Sequence, residues 1–215
     1  TGQTPDPGSL TFLAGQGNGT FAAGVNTAGP RGVTATGDFN NDTRLDVAVS
    51  VSTDGIPAVL LNNGDGTFAV GTAPPSGLRA IVADFDGDGN EDVAYGLTSA
   101  SPAVSAVRAV PGAGNGTFGP VLSFPADQPG AGTAGDVNGD GRADLVGVSK
   151  DAAGVALGNG DGTFASAAAA GLGVDLGPAP ALADVNGDAR ADLVGFSDGV
   201  ARVAPGNANG TFGTP

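Results

Sequence analysis

Short apolar runs of four to six residues recur along the chain, each closed by Gly, Pro, Asn or Asp. Segments 79–85, 92–98, 105–110 and 120–125 show the pattern: apolar positions dominate or alternate, then a turn-forming cluster ends the run. Runs of this length and composition predict strands. No segment carries a helical apolar stripe between caps. The alanine run at 167–170 is the one helix-tempting stretch, and Gly171 and Gly173 follow it at once. The pattern therefore predicts an all-β chain of many short strands.

The strands are ordered by two recurring phrases. GNGTF or a close variant ends at Phe21, Phe68, Phe118, Phe164 and Phe212, with gaps of 47, 50, 46 and 48 residues. An acidic phrase begins at Asp38, Asp84, Asp136 and Asp184, with gaps of 46, 52 and 48 residues. Each unit reads as strand, acidic loop, strand, strand, GNGTF turn, strand. Four strands per repeat of about 40–50 residues is the signature of a β-propeller built from four-stranded blades. The expected organisation is a flexible N-terminus over residues 1–9 and a single repeat domain over 10–215.

Composition narrows the chemistry. Gly and Pro together make 55 of 215 residues, yet 40% of the chain is hydrophobic and the mean hydropathy is +0.09. The glycine is thus explained by turns rather than by disorder. The chain has no His and no Cys, which removes imidazole and thiolate catalysis, thiolate zinc sites and disulfides. Its net charge of −14 disfavours nucleic acid and anionic membranes and favours cations. No apolar run reaches the ~18 residues of a membrane-spanning helix. No phosphate-loop GKS or GKT occurs, and Lys150 is the one lysine. The acids outside the acidic loops form no convincing catalytic pair, so no enzyme is expected.

The acidic loops carry the candidate chemistry. In Asp84–Asp92 (DFDGDGNED), Asp84, Asp86, Asp88 and Asp92 fall at positions 1, 3, 5 and 9, with the Asn90 carbonyl at position 7. The other sets are Asp38, Asn40, Asp42, Arg44 and Asp46; Asp136, Asn138, Asp140, Arg142 and Asp144; Asp184, Asn186, Asp188, Arg190 and Asp192. Alternating carboxylates in a tight loop aim several oxygens at one point, and hard Ca²⁺ takes about six to eight oxygens. The arginines offer only their carbonyls, and their guanidinium groups are expected to point to solvent or to a neighbouring blade. Three loops carry Asn at position 3, so the Asp86 site is expected to bind most tightly. Asn41, Thr43 and Ala189 stand where glycine is expected, and the Asp38 loop departs furthest. None is an EF-hand, because position 12 is Val49, Tyr95, Gly147 or Gly195 rather than Glu. The turn phenylalanines are expected to be buried between blades. Asn18, Asn41, Asn115 and Asn209 begin N-x-[ST] patterns that turn chemistry produces by itself.

The paired motifs resemble the FG-GAP/VCBS repeat family, the calcium-binding propeller repeat also found in integrin α-subunit heads. The resemblance runs from about residue 9 to residue 212. It implies about four to five blades in this chain, with up to four Ca²⁺ held between the first and second strands. It further implies a non-enzymatic module for adhesion, ligand binding or self-assembly, extracellular or on the cell surface, with a protein or glycan as ligand. The alternative is an accessory domain of a secreted polysaccharide-active enzyme, or a lectin-like glycan binder. The repeat count leaves a third and fourth strand at residues 10–29 and a first to third strand at 179–215. These ends are expected to complete one another within one molecule, to join molecules into a dimer or filament, or to belong to a longer propeller.

Overall fold

The structure, a computed structural model, describes residues 9–28, 33–49, 58–71, 78–97, 106–125, 131–148, 152–166, 170–177 and 180–215. An opening hairpin pairs β1 (Ser9–Phe12) with β2 (Val25–Ala28). The first sheet comprises β3 (Val33–Gly37), β4 (Asp46–Val49), β5 (Ala58–Asn62) and β6 (Phe68–Val70). The second comprises β7 (Leu78–Ala83), β8 (Asp92–Leu97), β9 (Ala106–Val110) and β10 (Leu122–Pro125). The third comprises β11 (Ala131–Gly135), β12 (Asp144–Val148), β13 (Ala152–Gly158) and β14 (Phe164–Ser166), with β15 (Ala170–Gly171) also paired to β13. The fourth is three-stranded: β16 (Ala181–Ala183), β17 (Asp192–Ser197) and β18 (Val200–Ala204).

Every ladder is antiparallel, and each sheet is a meander in chain order except that β15 returns to pair with β13. No helix occurs among the described residues, as the apolar pattern predicts. Most of the flexible segment expected at 1–9 lies outside the described residues; Ser9 opens β1. Residues 167–169 of the alanine run also lie outside them, and Ala170 is in β15.

The first strands β3, β7, β11 and β16 lie side by side in chain order, so consecutive sheets are neighbours. Their facing surfaces supply the core. Phe39, Ala48 and Val59 of the first sheet meet Val93 and Val110 of the second. Phe85, Ala94 and Ala109 of the second meet Leu145 of the third. Val137, Val146 and Val155 of the third meet Leu193, Ala204 and Phe212 of the fourth. All four residues of β4 are buried, because its sheet is covered on both faces. One face meets the second sheet, and the other holds Val47, Val49 and Leu60 with Phe68, whose ring lies edge-on to Phe12 at 6.3 Å. Each fully buried Val or Leu contributes roughly 1.5–3 kcal/mol, so stacking rather than any single sheet holds the fold.

The GNGTF turns have one construction. The Thr backbone N–H donates to the Asn or Asp carboxamide or carboxylate oxygen two residues earlier, at 2.9–3.2 Å in Thr20, Thr67, Thr117, Thr163 and Thr211. This Asx turn accounts for the N-x-[ST] pattern at Asn18, Asn115 and Asn209. The phenylalanine that follows then meets the sheet before it: Phe118 packs edge-on against Phe39 at 5.8 Å and Phe164 against Phe85 at 5.4 Å. Phe21 departs from the expected burial and is exposed: its turn belongs to the opening hairpin, and among the described residues no sheet lies before it.

Candidate metal centres in the acidic loops

Each acidic loop joins the first strand of a sheet to its second, as expected. The position-1 aspartate organises the curl. Asp84 Oδ1 accepts the Gly87 N–H at 2.7 Å and Oδ2 accepts the Gly89 N–H at 2.9 Å. Asp136 does the same for Gly139 and Gly141, and Asp184 for Gly187 and Ala189. In the Asp38 loop the acceptor bonds go to Asp42 and Thr43. The curl demands left-handed backbone at positions 4 and 6. Asn41, Thr43 and Ala189 supply it without glycine, at φ of 57°, 69° and 66°. All four loops thus hold one shape, including the two whose sequences depart from the pattern.

The position-9 aspartates Asp46, Asp92, Asp144 and Asp192 are buried beneath the loops. Each bridges two elements. One oxygen accepts the N–H of loop position 2, at 3.0, 2.8, 2.9 and 3.1 Å from Phe39, Phe85, Val137 and Val185. The other accepts an N–H at or just beyond the third strand's end, at 2.7, 2.7, 2.8 and 2.9 Å from Asn62, Gly112, Gly158 and Gly206. The close approach explains the glycines. A Cβ at Gly158 would lie 2.3 Å from the Ala143 carbonyl oxygen. Burial pushes the carboxyls of Asp46 and Asp144 up, and Asp92 up to about 6, against the lowering effect of the N–H bonds. Sequence reasoning assigned these residues to the metal set and missed this stapling role; the signal was their place as first residue of the second strand.

The loops differ in how their outer carboxylates are compensated. One ligand oxygen each from Asp84, Asp86 and Asp88 lies within 4.8 Å of the others. An ion about 2.4 Å from each of its oxygens needs that separation or less. Burial first, then the charges of Asp88 and Asp84, push the Asp86 carboxyl up. No arginine stands at this loop's seventh position; Asn90 donates through Nδ2 to Asp88 Oδ2 at 2.7 Å.

In the other loops the seventh residue is an arginine, and it neutralises the fifth. The Arg44 guanidinium pairs with Asp42, and that of Arg190 with Asp188 at 2.5 Å. Arg142 lies 3.8 Å from Asp140. Arg44 Nε also donates to the Asn62 carbonyl at 2.7 Å, and Arg190 Nε to that of Gly206 at 3.2 Å. The expectation that these side chains would point to solvent or to a neighbouring unit holds in part: Arg44 and Arg142 are 43% and 53% exposed, while the guanidinium groups of Arg44 and Arg190 also turn back on the fifth residue of their own loops. Asn40 and Asn138 add amide donors to the same carboxylates, at 2.8 and 3.2 Å, while Asn186 Nδ2 reaches Asp192 at 3.4 Å.

Two contacts between the first and second loops lay outside the sequence reading. Asn41 Nδ2 donates to Asn90 Oδ1 at 2.6 Å. Glu91 is half-buried, and burial and the charges of Asp38 and Asp84 push its carboxyl up.

A fold of small antiparallel sheets with one shared acidic loop per sheet defines a repeat protein. The profile of the FG-GAP-like repeat family matches residues 38–95, 84–147 and 136–195, and the chain belongs to that family. No curated protein matches the chain. Among solved structures it is similar to a lectin of Agrocybe aegerita, described as recognising non-reducing terminal N-acetylglucosamine. The two share 25% identity at a TM-score of 0.65, over 95% of this chain and 59% of the lectin chain. It is also similar to a chain of the Photorhabdus luminescens Tc holotoxin pore, at 20% identity and a TM-score of 0.49, over 96% of this chain and 10% of that one.

Proposed function

We propose that the chain is a calcium-binding module of β-propeller type whose sheets are blades, acting outside the cell as a non-enzymatic binding surface. The observation that carries the metal reading is the convergence of Asp84, Asp86 and Asp88 on one point. The three ion pairs among the described residues all fall in other loops, so among these residues the cluster draws no compensation from an arginine. Ca²⁺ suits it better than Mg²⁺, because a crowded, oxygen-only loop favours the larger and less exacting ion. The bound ion supplies positive charge among these carboxylates. The chain supplies the oxygens of Asp84, Asp86 and Asp88 and the Asn90 carbonyl, on a loop already curled by backbone hydrogen bonds. The three arginine-bearing loops bind more weakly.

Membership of the FG-GAP-like family supports a binding role, and the likeness to a lectin favours a glycan as ligand. The chain spans 59% of that lectin chain, so the ligand of the whole lectin serves as a probe for this one and not as its assignment. The test is a glycan array that includes terminal N-acetylglucosamine, run in calcium and in EDTA beside an activity screen on polysaccharides. Calcium-dependent retention of a glycan without turnover supports the reading. Release of reducing ends from a polysaccharide would replace it with an enzyme.

A further inference from the structure

In the first three sheets, one glycine of the GNGTF turn leaves a slot that the seventh residue of the acidic loop enters. In the first and third sheets an arginine fills it: a Cβ at Gly64 would lie 3.1 Å from Arg44 Cδ, and one at Gly160 3.0 Å from Arg142 Nε. In the second sheet the seventh residue is Asn90, and two short amides share the slot instead. A Cβ at Gly114 would collide with Asn90 Oδ1 and lie 2.5 Å from Asn41 Nδ2. Asn41 comes from the loop of the first sheet, 49 residues away in sequence. Asp88 fixes the direction of the bonds. A carboxylate only accepts, so Asn90 turns Nδ2 to Asp88 Oδ2 at 2.7 Å and its own Oδ1 to Asn41, which donates through Nδ2 at 2.6 Å. The Asn90 backbone N–H takes Asp88 Oδ1, also at 2.7 Å. Among the described residues, no other side-chain hydrogen bond joins two acidic loops. The fourth loop position, where Asn41 stands at φ 57°, is glycine in the other three loops, as Gly87, Gly139 and Gly187.

We infer that Asn41 is a positioning residue for the calcium site of the neighbouring loop: it braces Asn90, so that a neutral amide rather than an arginine holds Asp88 beside Asp84 and Asp86. The inference rests on the calcium reading of the Asp84 loop. Two properties follow from the arrangement. The three carboxylates keep the negative charge that an arginine offsets at Asp42, Asp140 and Asp188. They are also held in place ahead of any ion, and the hydrogen-bond partners of ligating carboxylates matter to affinity nearly as the ligands do. Because Asn90 offers its carbonyl as well, bracing its side chain steadies the seventh position too. The same turn ties the two sheets through the backbone, where the Gly116 N–H donates to the Phe39 carbonyl at 2.8 Å. By linkage, an ion whose affinity depends on Asn41 tightens the joint between the first and second sheets by the same factor.

The test is calcium titrated by calorimetry into the EDTA-stripped full chain in four forms: wild type, Asn41→Gly, Asn90→Ala and the double variant. Glycine is what the other loops carry at the fourth position, so Asn41→Gly keeps the curl and is expected to melt in EDTA near the wild-type temperature. Its tightest class of calcium site is expected to weaken about threefold, the scale of one exposed hydrogen bond. Asn90→Ala releases Asp88 itself and is expected to weaken that class about tenfold. The double variant is expected to bind as Asn90→Ala does, because Asn41 acts only through Asn90. An Asn41→Gly chain that binds calcium like the wild type would overturn the inference. So would a double variant whose loss is the product of the two single losses. A wild-type chain that takes up no calcium would overturn the calcium reading itself, and this inference with it, so the two failures are told apart.

Discussion

Asp42, Asp88, Asp140 and Asp188 hold the same loop position in different company. Three face an arginine of their own loop, whereas Asp88 faces an amide and two further carboxylates. Asp86→Asn removes one charge from the crowded set and is expected to lower the affinity of the tightest calcium site about tenfold, roughly 1.4 kcal/mol. Arg190→Gln removes a competing cation and is expected to tighten calcium binding at the Asp188 loop. Titration calorimetry reads both, and an arginine variant that binds more weakly would contradict the account. Asp144 has a different task. Asp144→Ala strands the buried N–H groups of Val137 and Gly158, and each unsatisfied donor costs about 1–3 kcal/mol. The variant is therefore expected to lose about 2 kcal/mol of stability even in EDTA, discounted for the cost of burying the native carboxyl. A purely metal-binding role would leave the EDTA-treated protein unchanged in a denaturant titration.

At the scale of elements, the loop, the second strand and the third-strand end form one bonded unit through the position-9 carboxylate. Its protonation gives the metal-free protein a pH dependence of unusual sign. Asp92 is pushed up from 3.8 to about 6 by burial, and Asp46, Asp144, Asp86 and Glu91 move the same way. A raised carboxyl holds its proton more tightly in the folded state, so its contribution is full below the unfolded value and is lost as pH rises through the folded one. In EDTA the melting temperature is expected to be higher near pH 5 than near pH 7.5, while calcium stabilises more near pH 7.5 because it needs the ionised loop. Asp65, Asp161 and Asp184 are lowered by hydrogen bonds and act only below 3.8. Melting curves at the two pH values check this; a metal-free protein more stable at the higher pH would contradict it. The strands were legible in the sequence because Gly, Asn and Asp close every apolar run: 92–98 was read where β8 spans Asp92–Leu97. The loop curl was legible through its oxygen spacing. The recoil of Arg44 and Arg190 onto their own loops was not, because position 7 fixes a backbone direction and says nothing of where a long side chain folds. The Asn41–Asn90 bond was also invisible, since it joins residues 49 apart across two units.

For the whole molecule, stability comes from stacking small sheets that are too thin to stand alone, and charge opposes it. The chain carries −14, and the four acidic loops hold 14 of its 22 acids. Phe85 is the stack's most telling residue, buried in the joint between the second and third sheets against Phe164. Phe85→Ala is expected to cost about 3–5 kcal/mol, with a lowered melting temperature in calcium and in EDTA alike. In the proposed reading, calcium would act on the opposing term. With dissociation constants of about 10⁻⁴–10⁻³ M, typical of extracellular modules, each bound ion would add about 0.5–1.5 kcal/mol at millimolar calcium. The most direct measurement is therefore calcium titrated into the EDTA-stripped chain and into Asp86→Asn, followed by heat and by melting temperature. The account predicts saturable binding that raises the melting temperature, with the tightest class of site weakened in the variant. A wild-type chain that takes up no calcium and melts at one temperature in calcium and EDTA would contradict it.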